Sequence, residues 1–196
     1  MMKGITSSTN NYAIQFSCGN AKPCKKGSIM VTDATPGSAT DVKKIEVCND
    51  FWTSTSTNHL LYDSSKTSPD PPYRSNDDKG WCAKRTEDKE ENVSKIKDDD
   101  FTTAGHSVLH ELTHLDSLAK IAGLEGDEDQ KNAHGTTDAD KKGQPSGARE
   151  FLEQYKKGKT KDTSPDYNAE SYVAAATEVY FMNLCGFSEI DPVVKS

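Results

Sequence analysis

A chain of 196 residues with 33% hydrophobic and 28% charged residues is long enough for one domain but apolar enough for only a small core. A formal charge of −7, a pI near 5.2 and a mean hydropathy of −0.81 exclude a basic nucleic-acid surface, and no apolar run approaches the roughly 18 residues of a membrane span. An acidic surface of this kind suits basic partners or basic peptide substrates.

The first twelve residues, MMKGITSSTNNY, lack the apolar stretch of a signal peptide, so a secreted protein would stand here in its mature form. Three strand-length segments follow. Residues 12–17 and 44–48 alternate between apolar and polar, and 28–32 is a short apolar run; Gly, Pro, Asn or Ser clusters bound each of them. The five cysteines, Cys18, Cys24, Cys48, Cys82 and Cys185, show no C-x-x-C spacing, which argues against a zinc ribbon or a thioredoxin motif. Scattered through a polar chain, they read as disulfides of a secreted protein, with one thiol left over and the pairing open. The polar stretch 52–80, with its Ser-Pro-Asp-Pro-Pro, reads as loop, and the charged run 86–100 as a solvated helix or linker. Asn92-Val93-Ser94 within it is a glycosylation sequon, in keeping with secretion.

The second half is helical. Val108, Leu112, Leu115, Ala119 and Ala122 recur at three- and four-residue steps, which predicts a helix over 103–122 stopped by Gly123. An acidic loop then carries His134-Gly-Thr-Thr-Asp138, a short amphipathic helix over 148–157 closes at Gly158, and Asn168 caps a last helix that ends at Cys185 and Gly186. Strands first and helices later give an α+β class, as a single domain 1–196 with a strand- and loop-rich lobe 1–100 and a helical lobe 101–196.

Chemistry concentrates in His110-Glu111-Leu112-Thr113-His114. Residues four apart share a helix face, so two imidazoles can meet one ion. Glu111 is rotated about 100° from His110 and cannot be a third ligand on that stripe. It can reach a water beside the metal, the geometry of a general base next to a Lewis acid. A catalytic site needs a third protein ligand, and six residues after His114 stands Lys120, not histidine. Glu170 and Glu178 on the last helix are distant candidates, and Asp116 falls on the wrong side of its helix. Asp138 lies in a Gly-Thr-Thr-Asp turn that can swing a short carboxylate back to the metal.

The pair His110-Glu-Leu-Thr-His114 and Gly135-Thr136-Thr137-Asp138, with Asn168-Ala-Glu-Ser-Tyr172 later, resembles the aspzincins, the deuterolysin and peptidyl-Lys metalloendopeptidase family. The resemblance covers roughly residues 100–186. It implies a zincin-like fold and Zn2+ on His110, His114 and Asp138. It also implies Glu111 as general base in a secreted endopeptidase that hydrolyses peptide bonds of protein substrates. Two departures stand out. The interval from His114 to Asp138 is longer than the family pattern, and Lys141 falls where the family has an oxyanion-binding tyrosine. Tyr155 and Tyr167, ahead of Tyr172, are the candidates to supply that phenol. Glu170 occupies the acidic position that lines the pocket for the residue after the scissile bond in lysine-specific members, which implies a preference for Lys or Arg there. The alternative is that Glu170 simply favours the positive end of its helix. The chain is expected to act as a monomer, with no nucleic acid and no membrane. The main rival is a secreted zinc-binding interaction protein on a peptidase scaffold with little turnover; a second is an α+β binding module with an accidental motif.

Overall fold

The computed structural model describes residues 13–18, 23–33, 42–54, 86–88, 93–94, 103–121, 135–139, 144–159 and 163–190. The alternating segment Lys43–Val47 forms strand β3, the centre of a three-stranded sheet with β1 (Ile14–Cys18) and β2 (Met30–Thr32) at its edges. β1 runs parallel to β3 and β2 antiparallel to it, with Phe16 opposite Ile45 and Met30 opposite Val47. Because side chains alternate along a strand, Lys43, Ile45 and Val47 point inward while Lys44 points out. The strand ends at Cys48, which a disulfide joins to Cys24; Cys185 is also in a disulfide, and Cys18 is a free, exposed thiol. A 3-10 turn, Asn49–Thr53, follows.

The inner face of this sheet rests on helix α1 (Ala104–Thr113) and helix α2 (Asp116–Ile121). Met30, Ile45, Val47, Leu115 and Leu118 form one buried cluster, with Val108, Leu112 and Phe51 packed against it. Leu115 and Leu118, both 1% exposed, each contribute about 2–3 kcal/mol by leaving water. α1 starts where Thr103 accepts a hydrogen bond from His106 N, a cap that stabilises by about 1 kcal/mol.

The single helix expected over 103–122 is broken at His114 and Leu115. Its apolar stripe continues across the break, but the Thr113 carbonyl is captured by Thr136 N at 3.0 Å. His114 and Leu115 instead close short turns onto Glu111 O and Leu112 O. Just beyond the break, Asp116 Oδ1 meets the buried Lys43 Nζ at 2.7 Å, an ion pair between the central strand and α2.

A second small sheet contains β4 (Thr86–Asp88), β5 (Val93–Ser94) and β6 (Glu189–Ile190), in that order. The expectation of helix or linker over 86–100 is therefore corrected for these residues. β4 and β5 pair with each other, β5 also takes β6 from the other end of the chain, and segments of two or three residues carry no readable alternation. Helix α3 (Pro145–Lys156) begins at a proline in its first turn, three residues earlier than expected, and closes before Gly158 at φ 67°. A 3-10 turn, Pro165–Tyr167, leads into α4 (Ala169–Cys185), which ends on left-handed Gly186 at φ 73° as anticipated. α4 packs against both α1 and α3. The class is α+β, and among the described residues no helix is long and apolar enough to cross a membrane. The stretch 55–80, the sequon residue Asn92, Cys82, Gly123 and the acidic segment 122–134 lie outside the described residues.

Removing one member of a buried ion pair leaves the other charge uncompensated. Lys43→Ala should therefore lower unfolding free energy by about 3 kcal/mol, whereas Lys43→Met combined with Asp116→Leu should recover most of that loss; urea unfolding of the three proteins reads both effects.

Candidate metal centre

Three histidines, His106 and His110 on α1 and His114 at its C-cap, recur every four residues and so share one face. The ring of His114 is oriented by Thr136 O, 2.8 Å from Nδ1. A carbonyl only accepts, so Nδ1 carries the hydrogen, which leaves Nε2 free to offer a lone pair to a metal or, on a protonated ring, a hydrogen to Asp138. His110 Nδ1 lies 3.2 Å from Glu170 Oε2, which orients that ring in the same sense. Both Nε2 atoms then converge on one oxygen. Asp138 Oδ1 is 2.9 Å from His110 Nε2 and 3.4 Å from His114 Nε2. His110, Glu111 and His114 each offer a ligand atom, all within 4.8 Å of one another, a group able to hold a metal ion.

The loop bearing Asp138 is placed by backbone contact. A β-carbon at Gly135 would lie 2.4 Å from His114 C and O and 2.6 Å from Thr113 O, so only glycine allows this approach. Thr136 N then bonds to Thr113 O, and the Thr113 and Thr136 hydroxyls meet at 2.7 Å. On the far side, Thr137 N donates to Tyr167 O at 2.7 Å and Ala169 N to Thr137 O at 2.9 Å. Asn168 stands at the N-cap of α4, but its side chain does not cap the helix. Its Oδ1 accepts from Ala139 N at 3.1 Å, and its Nδ2 donates to Ser171 Oγ. Asp138 is thus held by backbone bonds on both flanks. From the other side, β2 pins α1 through Thr32 Oγ1, which donates to Glu111 O at 3.0 Å.

Electrostatics follow this geometry. Burial disfavours a charged His110, but hydrogen bonds to Asp138 and Glu170 and their negative charge outweigh it and raise its pKa to about 10. Hydrogen bonds from His110 and His114 hold Asp138 well below the usual carboxylate range, although its side chain is 64% exposed. Burial pushes Glu170 upward, yet hydrogen bonds from His106 and His110 and their charge bring it below its ordinary value. The site therefore draws positive charge to the point between the two histidines and Asp138.

Each residue singled out in the sequence has a definite place. The Glu111 carboxylate is beside the imidazoles and makes no hydrogen bond among the described residues. Asp116 is engaged by Lys43, and Glu178 by Arg149 on α3, so neither is turned to the histidines. Tyr155 is 41% exposed on α3, which packs on α4 and the 165–167 turn, and its hydroxyl bonds to none of the site residues among those described. Tyr172 donates its hydroxyl to Asp166 O at 2.9 Å, and burial and the Asp166 charge raise its pKa. Tyr167 alone of the three is joined by its backbone to the Asp138 loop. Glu170 departs from the expected substrate pocket. It is 1% exposed and turned inward between His106 and His110, because a carboxylate that deep must meet donors. His106 had not been singled out; its signal was the same four-residue spacing that marks His110 and His114. Compared with known protein families, curated proteins and solved structures, the chain matches none.

Gly135→Ala forces the loop off the end of α1 and moves Asp138 and Thr136 together. The variant should remain folded but bind added zinc at least about tenfold more weakly, which calorimetric titration measures.

Proposed function

We propose that the chain is a secreted, zinc-dependent metalloendopeptidase of aspzincin type with a zincin-like arrangement of sheet and helix. The observation that carries this is the convergence of His110 Nε2, His114 Nε2 and Asp138 Oδ1. Ligands about 2.0–2.1 Å from a tetrahedral zinc stand about 3.3 Å from one another. Separations of 2.9 and 3.4 Å from the Asp138 oxygen to the two nitrogens fit that requirement. Two imidazoles and a carboxylate leave a fourth position open, as a catalytic zinc needs. The hydrogen-bonded Nδ1 atoms are the usual companions of Nε2 ligation.

Bound zinc would supply Lewis acidity, polarising the scissile carbonyl and acidifying water. The chain's own residues do the rest. Glu111 accepts a proton from the attacking water and returns it to the leaving amine. Its carboxylate is suited to this because no hydrogen bond among the described residues holds it elsewhere. The backbone bond that joins Tyr167 to the Asp138 loop supports Tyr167 ahead of Tyr155 as the phenol for the oxyanion. The inward turn of Glu170 removes its carboxylate as a reason to prefer Lys or Arg after the scissile bond. The disulfides suit an oxidising, extracellular compartment, and extended protein or peptide segments are the substrates.

The engaged hydroxyl of Tyr172 and the exposed Tyr155 favour a second reading, a zinc-binding interaction protein with little turnover. Hydrolysis decides between them. Casein digestion should be stopped by a chelator and restored by zinc. Glu111→Gln should lose about 10²–10⁴-fold in rate while binding zinc as tightly as the parent protein. Full activity in that variant would remove Glu111 as the base, and a parent protein that binds zinc without cleaving peptides would leave the interaction reading.

A further inference from the structure

His106 lies outside the ligand set, yet its ring and that of His110 meet the same carboxylate. His106 Nε2 is 3.0 Å from Glu170 Oε1 and 3.2 Å from Oε2, while His110 Nδ1 is 3.2 Å from Oε2. The other His106 nitrogen, Nδ1, faces Thr177 Oγ1 at 3.5 Å, and that hydroxyl donates to Val173 O at 2.8 Å. Glu170 is in the first turn of α4, where a negative charge is favoured by the helix dipole. A dipole alone would be served equally by a solvated side chain. Burial to 1% exposure requires paired donors, and the two histidines are those donors.

The two metal-facing rings are steadied in different ways. His114 is oriented by Thr136 O, which belongs to the same loop as Asp138 and arrives with it. No loop carbonyl performs this task for His110 among the described residues; its Nδ1 depends on a carboxylate from another helix. His106 Nε2 lies against both oxygens of that carboxylate and shares Oε2 with His110, while Oε1 has no hydrogen bond among the described residues, so His106 is what fixes the carboxylate's direction. We propose that Glu170, braced by His106, is a positioning residue that holds His110 as an Nε2 ligand, making His106 part of the metal site without touching the metal. This rests on the zinc assignment above.

Zinc affinity, read by competition with a chromophoric chelator, and the visible absorption of the cobalt(II)-loaded protein test it together. Glu170→Gln preserves the side-chain shape and changes the charge and one donor-acceptor match. It should weaken zinc by about 10- to 100-fold and shift the cobalt bands, with the circular dichroism spectrum unchanged. His106→Leu should act in the same direction, whereas His106→Gln, whose amide still donates to Glu170, should restore the parent affinity and spectrum. In combination, Glu170→Gln with His106→Leu should be no weaker than Glu170→Gln alone, since His106 acts through Glu170. A merely structural role would lower the melting temperature while leaving the affinity and cobalt bands of the folded protein as they are, and that result overturns the proposal. Failure of the zinc assignment reads differently: His110→Ala and His114→Ala would then bind zinc as well as the parent protein, or the parent would bind none.

Discussion

The close approach of Gly135 to the end of α1 is the contact on which the site depends. It needs a residue without a side chain, because any β-carbon would overlap the His114 carbonyl. Once made, it allows Thr136 to take the Thr113 carbonyl, which ends the helix, and to offer its own carbonyl to His114 Nδ1. The same few ångströms of backbone then deliver Asp138 to both imidazoles. Helix termination, ring orientation and the third carboxylate are thus one event rather than three.

A small apolar core makes such polar fastening valuable. The sheet supports α1 on one side through Val108, Leu112 and the buried cluster around Ile45. The face of α1 that carries the histidines is met by α4 and the 135–139 loop, through Glu170, Thr177 and Asp138. Of the candidate ligands, His110 stands on α1, His114 caps its C-terminal end and Asp138 lies on a loop secured at both flanks, so all three are held by bonded backbone. Glu170 and Asn168 show the same logic. Both stand at the start of α4, and both turn a side-chain oxygen toward the site.

Legibility varied with the range of the interaction. β3 was readable because its alternation is a local pattern set by one buried face, β1 because apolar and polar residues alternate along it even though none of it is buried, and β2 because its short apolar run is bounded by turn residues. β4 and β5 were not, because segments of two or three residues show no alternation and the sheet they form is completed by β6, beyond α4. The interruption at His114 was hidden for the same reason: the amide that captures Thr113 O comes from 23 residues further on. Gly186 was readable as a helix stop, since its positive φ answers a requirement of the adjacent backbone. Tyr155 and Tyr167 could not be ranked from sequence, because what separates them is which neighbour their elements pack against.

By itself, the sequence determined the α+β class, the pair of histidines one turn apart, the glutamate between them and an aspartate in a turn that could return to them. These depend on helical and strand periodicity and on the chemistry of the side chains, which are local. Tertiary structure decided where Glu170 points, that His106 belongs beside it, and that Asn168 Oδ1 accepts from the Asp138 loop rather than from the amides of its own helix. Those choices turn on desolvation. A buried carboxylate or amide must find its partners wherever the fold brings donors and acceptors close, and spacing along the chain carries no record of that.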